Sequence, residues 1–255
     1  MKSKNNLMPS LKNRRWSQFI DKLHLEEISL RSVLWLTKRS DIPVLGRLIR
    51  LSGNLYTRYI IYGKTLTNPN SFQHNHHLSN RNLHTVIDHE NALKIIKKEK
   101  DLCVIDCMCR MISHNCDSPL KTCILVGPEA QRRNRDHPEQ RLSPEQAINL
   151  LDSCFEKNLI HNAIYVLGHL VEICNCCKCC CVPILGVKKG FKSLHPSRHI
   201  AVKSNDKCSF CRNCETICPF DAITNGNINQ DKCFGCGLCA YKCTERAISM
   251  EIKNV

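Results

Sequence analysis

The run C-x2-C-x2-C-x3-C occurs twice near the end of this chain, at Cys208, Cys211, Cys214 and Cys218 and, 25 residues later, at Cys233, Cys236, Cys239 and Cys243. The copies extend past the thiols, because Ala222 and Ile223 recur as Ala247 and Ile248. Three cysteines spaced by two residues reach three corners of one inorganic cube from a single tight loop, and the fourth ligand cannot come from that loop. Structural zinc also uses C-x2-C pairs, but it needs only four ligands. Eight thiols in repeated triplets plus one exceed that need, so the repeat points to iron-sulfur chemistry. The chain carries 20 cysteines in 255 residues, without a basic-then-apolar leader and without an apolar run near ~18 residues. Grouped thiols in a reducing compartment bind metal or do redox chemistry more often than they pair as disulfides, and a cytoplasmic protein is expected.

Residues 204–255 resemble bacterial dicluster ferredoxins over their whole length. The resemblance implies two 4Fe-4S clusters that cross-link the halves, one on Cys208, Cys211, Cys214 and Cys243, the other on Cys233, Cys236, Cys239 and Cys218. Pro219 follows the first run, whereas Thr244 stands where a second proline often sits; proline shapes the turn and gives iron no bond, so ligation is unaffected. Asn225-Gly226 between short apolar runs signals a hairpin, and the alternation from Ala247 to Ile252 signals a strand.

Residues 81–203 read as a small α/β unit. A helix from about His89 carries Ala92, Leu93, Ile95 and Ile96, and strands are expected at Leu102 to Ile105 and Cys123 to Val126. Ser143, Pro144 and Gln146 make a capping box for a helix burying Ala147, Ile148, Leu150, Leu151 and Phe155, and strands follow at Ala163 to Leu167 and Val171 to Ile173. Ten cysteines are concentrated here, namely Cys107, Cys109, Cys116, Cys123 and then Cys174, Cys176, Cys177, Cys179, Cys180 and Cys181. The pattern C-x-C-R-x5-C-x2-P-x3-C, the Leu159-Ile160-His161 step and C-N-C-C-x-C-C-C are similar to those of a largely uncharacterised family of ferredoxin-domain proteins from anaerobic bacteria and archaea, over about residues 85–255. Neighbouring side chains on extended backbone point in opposite directions, so the six-cysteine run suits two sites, one on each side. These thiols are expected to hold one or two further iron-sulfur clusters, with zinc or a redox-active dithiol as the competing readings. Arg110 beside a ligand can raise a cluster potential or hold a carboxylate, and His161 can donate a proton. Cys103 and Cys154 read as buried apolar residues, and His74, His76 and His77 as a solvated loop.

Residues 1–80 form a basic region with short amphipathic helices, such as that marked by Leu30, Val33 and Leu34. The net charge of +14 is concentrated there; a plain solvated helical face accounts for it as well as docking does, and for docking the order is an acidic redox partner, an anionic membrane surface, then nucleic acid. The expected fold class is thus α+β, with a helical N-terminal region, a cysteine-rich middle domain and a C-terminal ferredoxin fold. No dinucleotide or phosphate-cradling motif is present. The expected function is single-electron relay between redox partner proteins. The alternative is an iron-sulfur reductase acting on a small-molecule substrate in the middle domain.

Overall fold

A computed structural model describes residues 83–166 and 168–253. The basic helical region and the His74, His76, His77 group lie outside the described residues.

The first part of the fold runs β1 (Leu83–Ile87), α1 (His89–Ile96), β2 (Leu102–Asp106), α2 (Met108–Ser113), β3 (Lys121–Val126), α3 (Gly127–Asp136), β4 (Arg141–Leu142), α4 (Pro144–Glu156), β5 (Ile160–Val166), β6 (His169–Cys176) and α5 (Val182–Lys188). One six-stranded sheet results, in the order β1-β5-β6-β3-β2-β4. Helices alternate with strands along the chain, yet the sheet pairings are antiparallel. The short α2 and the loop after it return the chain beside β2 as a wide hairpin, without the crossover that a parallel pair needs. The described fold is therefore α+β.

Local chemistry sets the helix ends. Asp88 caps α1 by accepting from the Asn91 amide at 2.9 Å. Ser143 and Gln146 close the expected capping box on α4, at 3.1 and 2.8 Å. Both helices cover one face of the sheet, where Ala92, Ile96, Ala147 and Leu151 pack on Leu102, Ile124, Val126 and Ile173.

The C-terminal segment contains β7 (His199–Lys203), α6 (Asn213–Ile217), β8 (Ile223–Thr224), β9 (Asn227–Ile228), α7 (Leu238–Tyr241) and β10 (Ile248–Ile252). β7 pairs antiparallel with β10, and β8 and β9 form the hairpin at Asn225-Gly226. Its buried side chains continue the first part. Phe220, Ala222, Cys236 and Leu238 share one apolar cluster with Val86, Phe155, Ile160 and Ile184.

Candidate metal centres

In the C-terminal segment the sequence repeat is also a conformational repeat. Left-handed backbone occurs at Phe210 and Arg212 (φ 56° and 60°) and again 25 positions on at Gly235 and Gly237 (φ 66° and 79°); Asp221 (φ 52°) matches Arg246 (φ 49°) in the same way. Left-handed residues within a loop turn successive N–H groups inward and create a concavity that favours an anionic core. At Phe210 and Arg212 this conformation costs on the order of 1 kcal/mol each, a cost that only a surrounding constraint sustains. The amides also reach the sulfurs, with Ala222 N–H on Cys218 Sγ at 3.4 Å and Ala247 N–H on Cys243 Sγ at 3.3 Å.

Cys218, Cys233, Cys236 and Cys239 line one cavity, whose other walls include Phe220, Ile223, Phe234 and Met250. Cys218 belongs to the first run, so the halves interlock at this point. Burial pushes the Cys236 thiol up to about 12 and the Cys239 thiol well above its ordinary value, so without metal both remain protonated and unreactive. The other triplet is also gathered, with Cys208 and Cys211 adding to burial in raising Cys214.

In the first part, the ten expected cysteines divide into two groups. The first is a ring of six: Cys107 interacts with Cys109, Cys109 with Cys181, Cys181 with Cys176, Cys176 with Cys174, Cys174 with Cys123, and Cys123 with Cys107. Strand register builds half of it. Ile124 faces Ile173 across β3 and β6, which makes Cys123 and Cys174 neighbours on the next rung, on the sheet face opposite the helices. Glu172 alternates with Cys174 and Cys176 along β6 and accepts from Cys174 Sγ at 2.8 Å. Sequence reasoning missed Glu172, although its position two residues before Cys174 on a strand was the available signal. The neighbouring thiols of Cys109 and Cys123, helped by Arg110, hold Cys107 far below the ordinary thiol range.

The second group is Cys116, Cys177, Cys179 and Cys180, whose sulfurs all lie within 4.8 Å of one another. The six-cysteine run thus splits three and three. Adjacent residues diverge at Cys176/Cys177, where the strand ends, and at Cys180/Cys181, where the turn closes. Cys179 and Cys180 instead serve the same group, because residues 178–180 form a turn.

Arg110 lies between the groups. It is 2% exposed; Nη1 donates to the Asn175 carbonyl at 2.9 Å and Nη2 to Thr122 Oγ1. Among the described residues no carboxylate pairs with it, so its charge is balanced by sulfur. Burial lowers its pKa, but Cys107, Cys177 and Cys123 outweigh burial and hold it above the ordinary value.

A hydrogen-bonded chain runs inward from the surface on the helix-covered face of the sheet, opposite the ring. Asp152 Oδ1 meets His89 Nε2 at 2.9 Å, His89 Nδ1 meets His161 Nε2 at 2.8 Å, and His161 Nδ1 meets Asn175 Oδ1 at 2.6 Å. Asn175 donates its amide to the Thr122 carbonyl, which fixes its oxygen toward His161. His161 therefore carries its proton on Nδ1 and accepts from His89, and burial depresses its pKa to about 3. Cys103 and Cys154 are buried; Cys154 packs in one apolar cluster with Cys177 and Cys180 but is not among the four sulfurs that lie within 4.8 Å of one another.

Residues 206–253 match the family model of the LdpA Fe-S cluster-binding domain. They form an iron-sulfur domain of the ferredoxin type. The chain is 47% identical over 47 residues to pyruvate synthase subunit PorD of Methanothermobacter marburgensis, which is 18% of this chain and 58% of PorD. It is 42% identical over 53 residues to PorD of Methanocaldococcus jannaschii, 19% of this chain and 62% of PorD. An uncharacterized ferredoxin of the latter organism is 42% identical over 52 residues, 18% of this chain and 31% of that protein. The chain thus spans less than two thirds of each of these relatives. No solved structure matches the chain significantly. No described helix is long and apolar enough to cross a membrane.

Proposed function

We propose that this chain relays single electrons between redox partner proteins through two C-terminal 4Fe-4S clusters and a further iron-sulfur cluster in the six-thiol ring. When bound, such clusters take up and release one electron at a time. Cys208, Cys211, Cys214 and Cys243 hold one C-terminal cluster, and Cys233, Cys236, Cys239 and Cys218 the other. The observation that carries this reading is the cavity shared by Cys218 with the second triplet. Around it, apolar side chains exclude water and amide N–H groups face the sulfurs, which lowers the cost of gaining an electron. Two relatives are named as pyruvate synthase subunits, which supports a larger oxidoreductase as one partner.

The test is iron and acid-labile sulfide per chain on anaerobically purified full-length protein. About twelve of each are expected, falling to about eight in Cys109→Ser/Cys123→Ser and losing a further four or so in Cys218→Ser. Iron unchanged in the double variant ends the ring assignment, and iron absent from the unaltered chain ends the whole proposal.

The second reading, an iron-sulfur reductase acting on a small molecule in the middle domain, is favoured by the Asp152-His89-His161-Asn175 chain, since a plain electron relay has no use for a proton path. A His89→Phe variant with unchanged potentials and unchanged pH dependence of those potentials removes that support.

A further inference from the structure

From the four-thiol group we infer a mononuclear metal site: Cys116, Cys177, Cys179 and Cys180 bind one divalent ion, zinc or iron(II), in a tetrahedron of thiolates without inorganic sulfide. The distances decide between an ion and a cluster. Cys116 Sγ lies 3.6 Å from Cys180 Sγ and 3.8 Å from Cys177 Sγ, and Cys180 Sγ lies 3.9 Å from Cys179 Sγ. With metal-sulfur bonds of ~2.3 Å, the edge of a thiolate tetrahedron is about 3.8 Å. Four thiolates that each bind a different iron of a cube stand further apart than four that share one ion. The same chain provides the contrast: among the described residues no three thiols of the C-terminal eight, and no three of the ring, lie within 4.8 Å of one another, although the ring thiols Cys123 and Cys174 do so together with the Glu172 carboxylate.

The surroundings suit a closed structural site. Cys177 and Cys180 are buried, and Cys116 and Cys179 are half-buried. The Ser118 hydroxyl and amide reach Cys116, and the Asn115 amide reaches Cys180. Ser113 Oγ and Asn115 Nδ2 donate to the carbonyls of Cys180 and Cys179, at 3.4 and 3.3 Å. One divalent ion with four thiolates carries a net charge of −2, and Arg110 touches Cys177 as the balancing cation. The ion would fasten the loop after α2 to the turn of residues 178–180, which also supplies the ring through Cys176 and Cys181. No further open coordination position is needed, as expected of a structural centre.

The experiment compares full-length protein with Cys116→Ser/Cys179→Ser, measuring zinc, iron and acid-labile sulfide per chain. The expected result is the loss of one metal, zinc or iron, with sulfide unchanged. Sulfide falling together with about four irons means a cluster occupies these thiols and overturns the inference, as does unchanged metal content. A second measurement guards against a variant that fails to fold. X-ray absorption at the zinc edge of the unaltered chain, with zinc exchanged in where iron is native, should show four sulfurs at ~2.3 Å and no metal neighbour. A nearby metal scatterer, or a shell of nitrogen and oxygen, overturns it. A chain without iron or sulfide that still binds one zinc would refute the electron-relay proposal and leave this site standing.

Discussion

Single positions carry the tightest constraints. A Cβ on Gly235 would lie 1.8 Å from the His199 carbonyl oxygen, a backbone atom that cannot swing away, while one on Gly237 meets only the Asp88 Cβ at 3.8 Å. Gly235→Ala should therefore cost the second cysteine loop its fold and about four irons per chain, whereas Gly237→Ala pays only left-handed strain of about 1 kcal/mol and keeps them. Equal iron in both variants would refute this. His84 shares the acid sensitivity with His161, whose pKa burial lowers further, to about 3. Burial, with the nearby His195 charge, depresses the His84 pKa from 6.5 to about 4. The unfolded chain thus takes up this proton first, and stability present above pH ~6.5 is lost as pH falls toward ~4, on the order of 3 kcal/mol at the lower end. His84→Gln should remove about half of the pH slope of the denaturant midpoints over that window and leave the share of His161; an unchanged slope would assign the acid lability elsewhere.

At the level of elements, β6 and the turn after it do most to organise the metal chemistry. The strand sends Glu172, Cys174 and Cys176 to one sheet face and Ile173 to the core on the other, so the ring and the hydrophobic core are set by a single alternation. The helix α2 delivers Arg110 between the two thiol groups. A fixed positive charge stabilises the reduced, more negative state of a nearby cluster, so Arg110→Met should lower the ring potential, on the order of 60 mV for ~1.4 kcal/mol, with Arg110→Lys falling between. Potentiometric titration followed by electron paramagnetic resonance reads this, and an unmoved potential in the methionine variant would show that the charge is screened from the ring. The capping box on α4 is a smaller device, and Ser143→Ala should cost about 1 kcal/mol in equilibrium unfolding.

At the level of the whole molecule, the two cysteine-rich parts do not have separate interiors. Leu238 is 1% exposed in a cluster that also contains Ile160 and Phe155, and Lys242 Nζ donates to the Glu156 carbonyl at 2.8 Å. Leu238→Ala should cost about 2–5 kcal/mol and shift the melting of the middle sheet and the loss of C-terminal cluster absorbance together; two separated transitions would mean that the halves fold independently. Periodic patterns survive in one dimension, and so α1, β2, β3, α4 with its capping box, and the hairpin at Asn225-Gly226 were all legible from residue order. The repeated C-x2-C-x2-C-x3-C runs were legible too, because local spacing alone determines how three thiols wrap a cube. Sheet order was not legible: alternating helices and strands suggested an α/β unit, and the antiparallel return through α2 depends on how a loop packs. The six-cysteine run announced two sites but not their membership. Which thiols join Cys116, that Cys179 and Cys180 face the same way, and that Glu172, His89 and Asp152 enter the neighbourhood all depend on one turn and on the register of β6 against β3 and β5. Spacing along the chain encodes contacts within a loop or an element, whereas these groups come from segments about 60 residues apart in sequence, and only the packing of the sheet brings them within bonding distance.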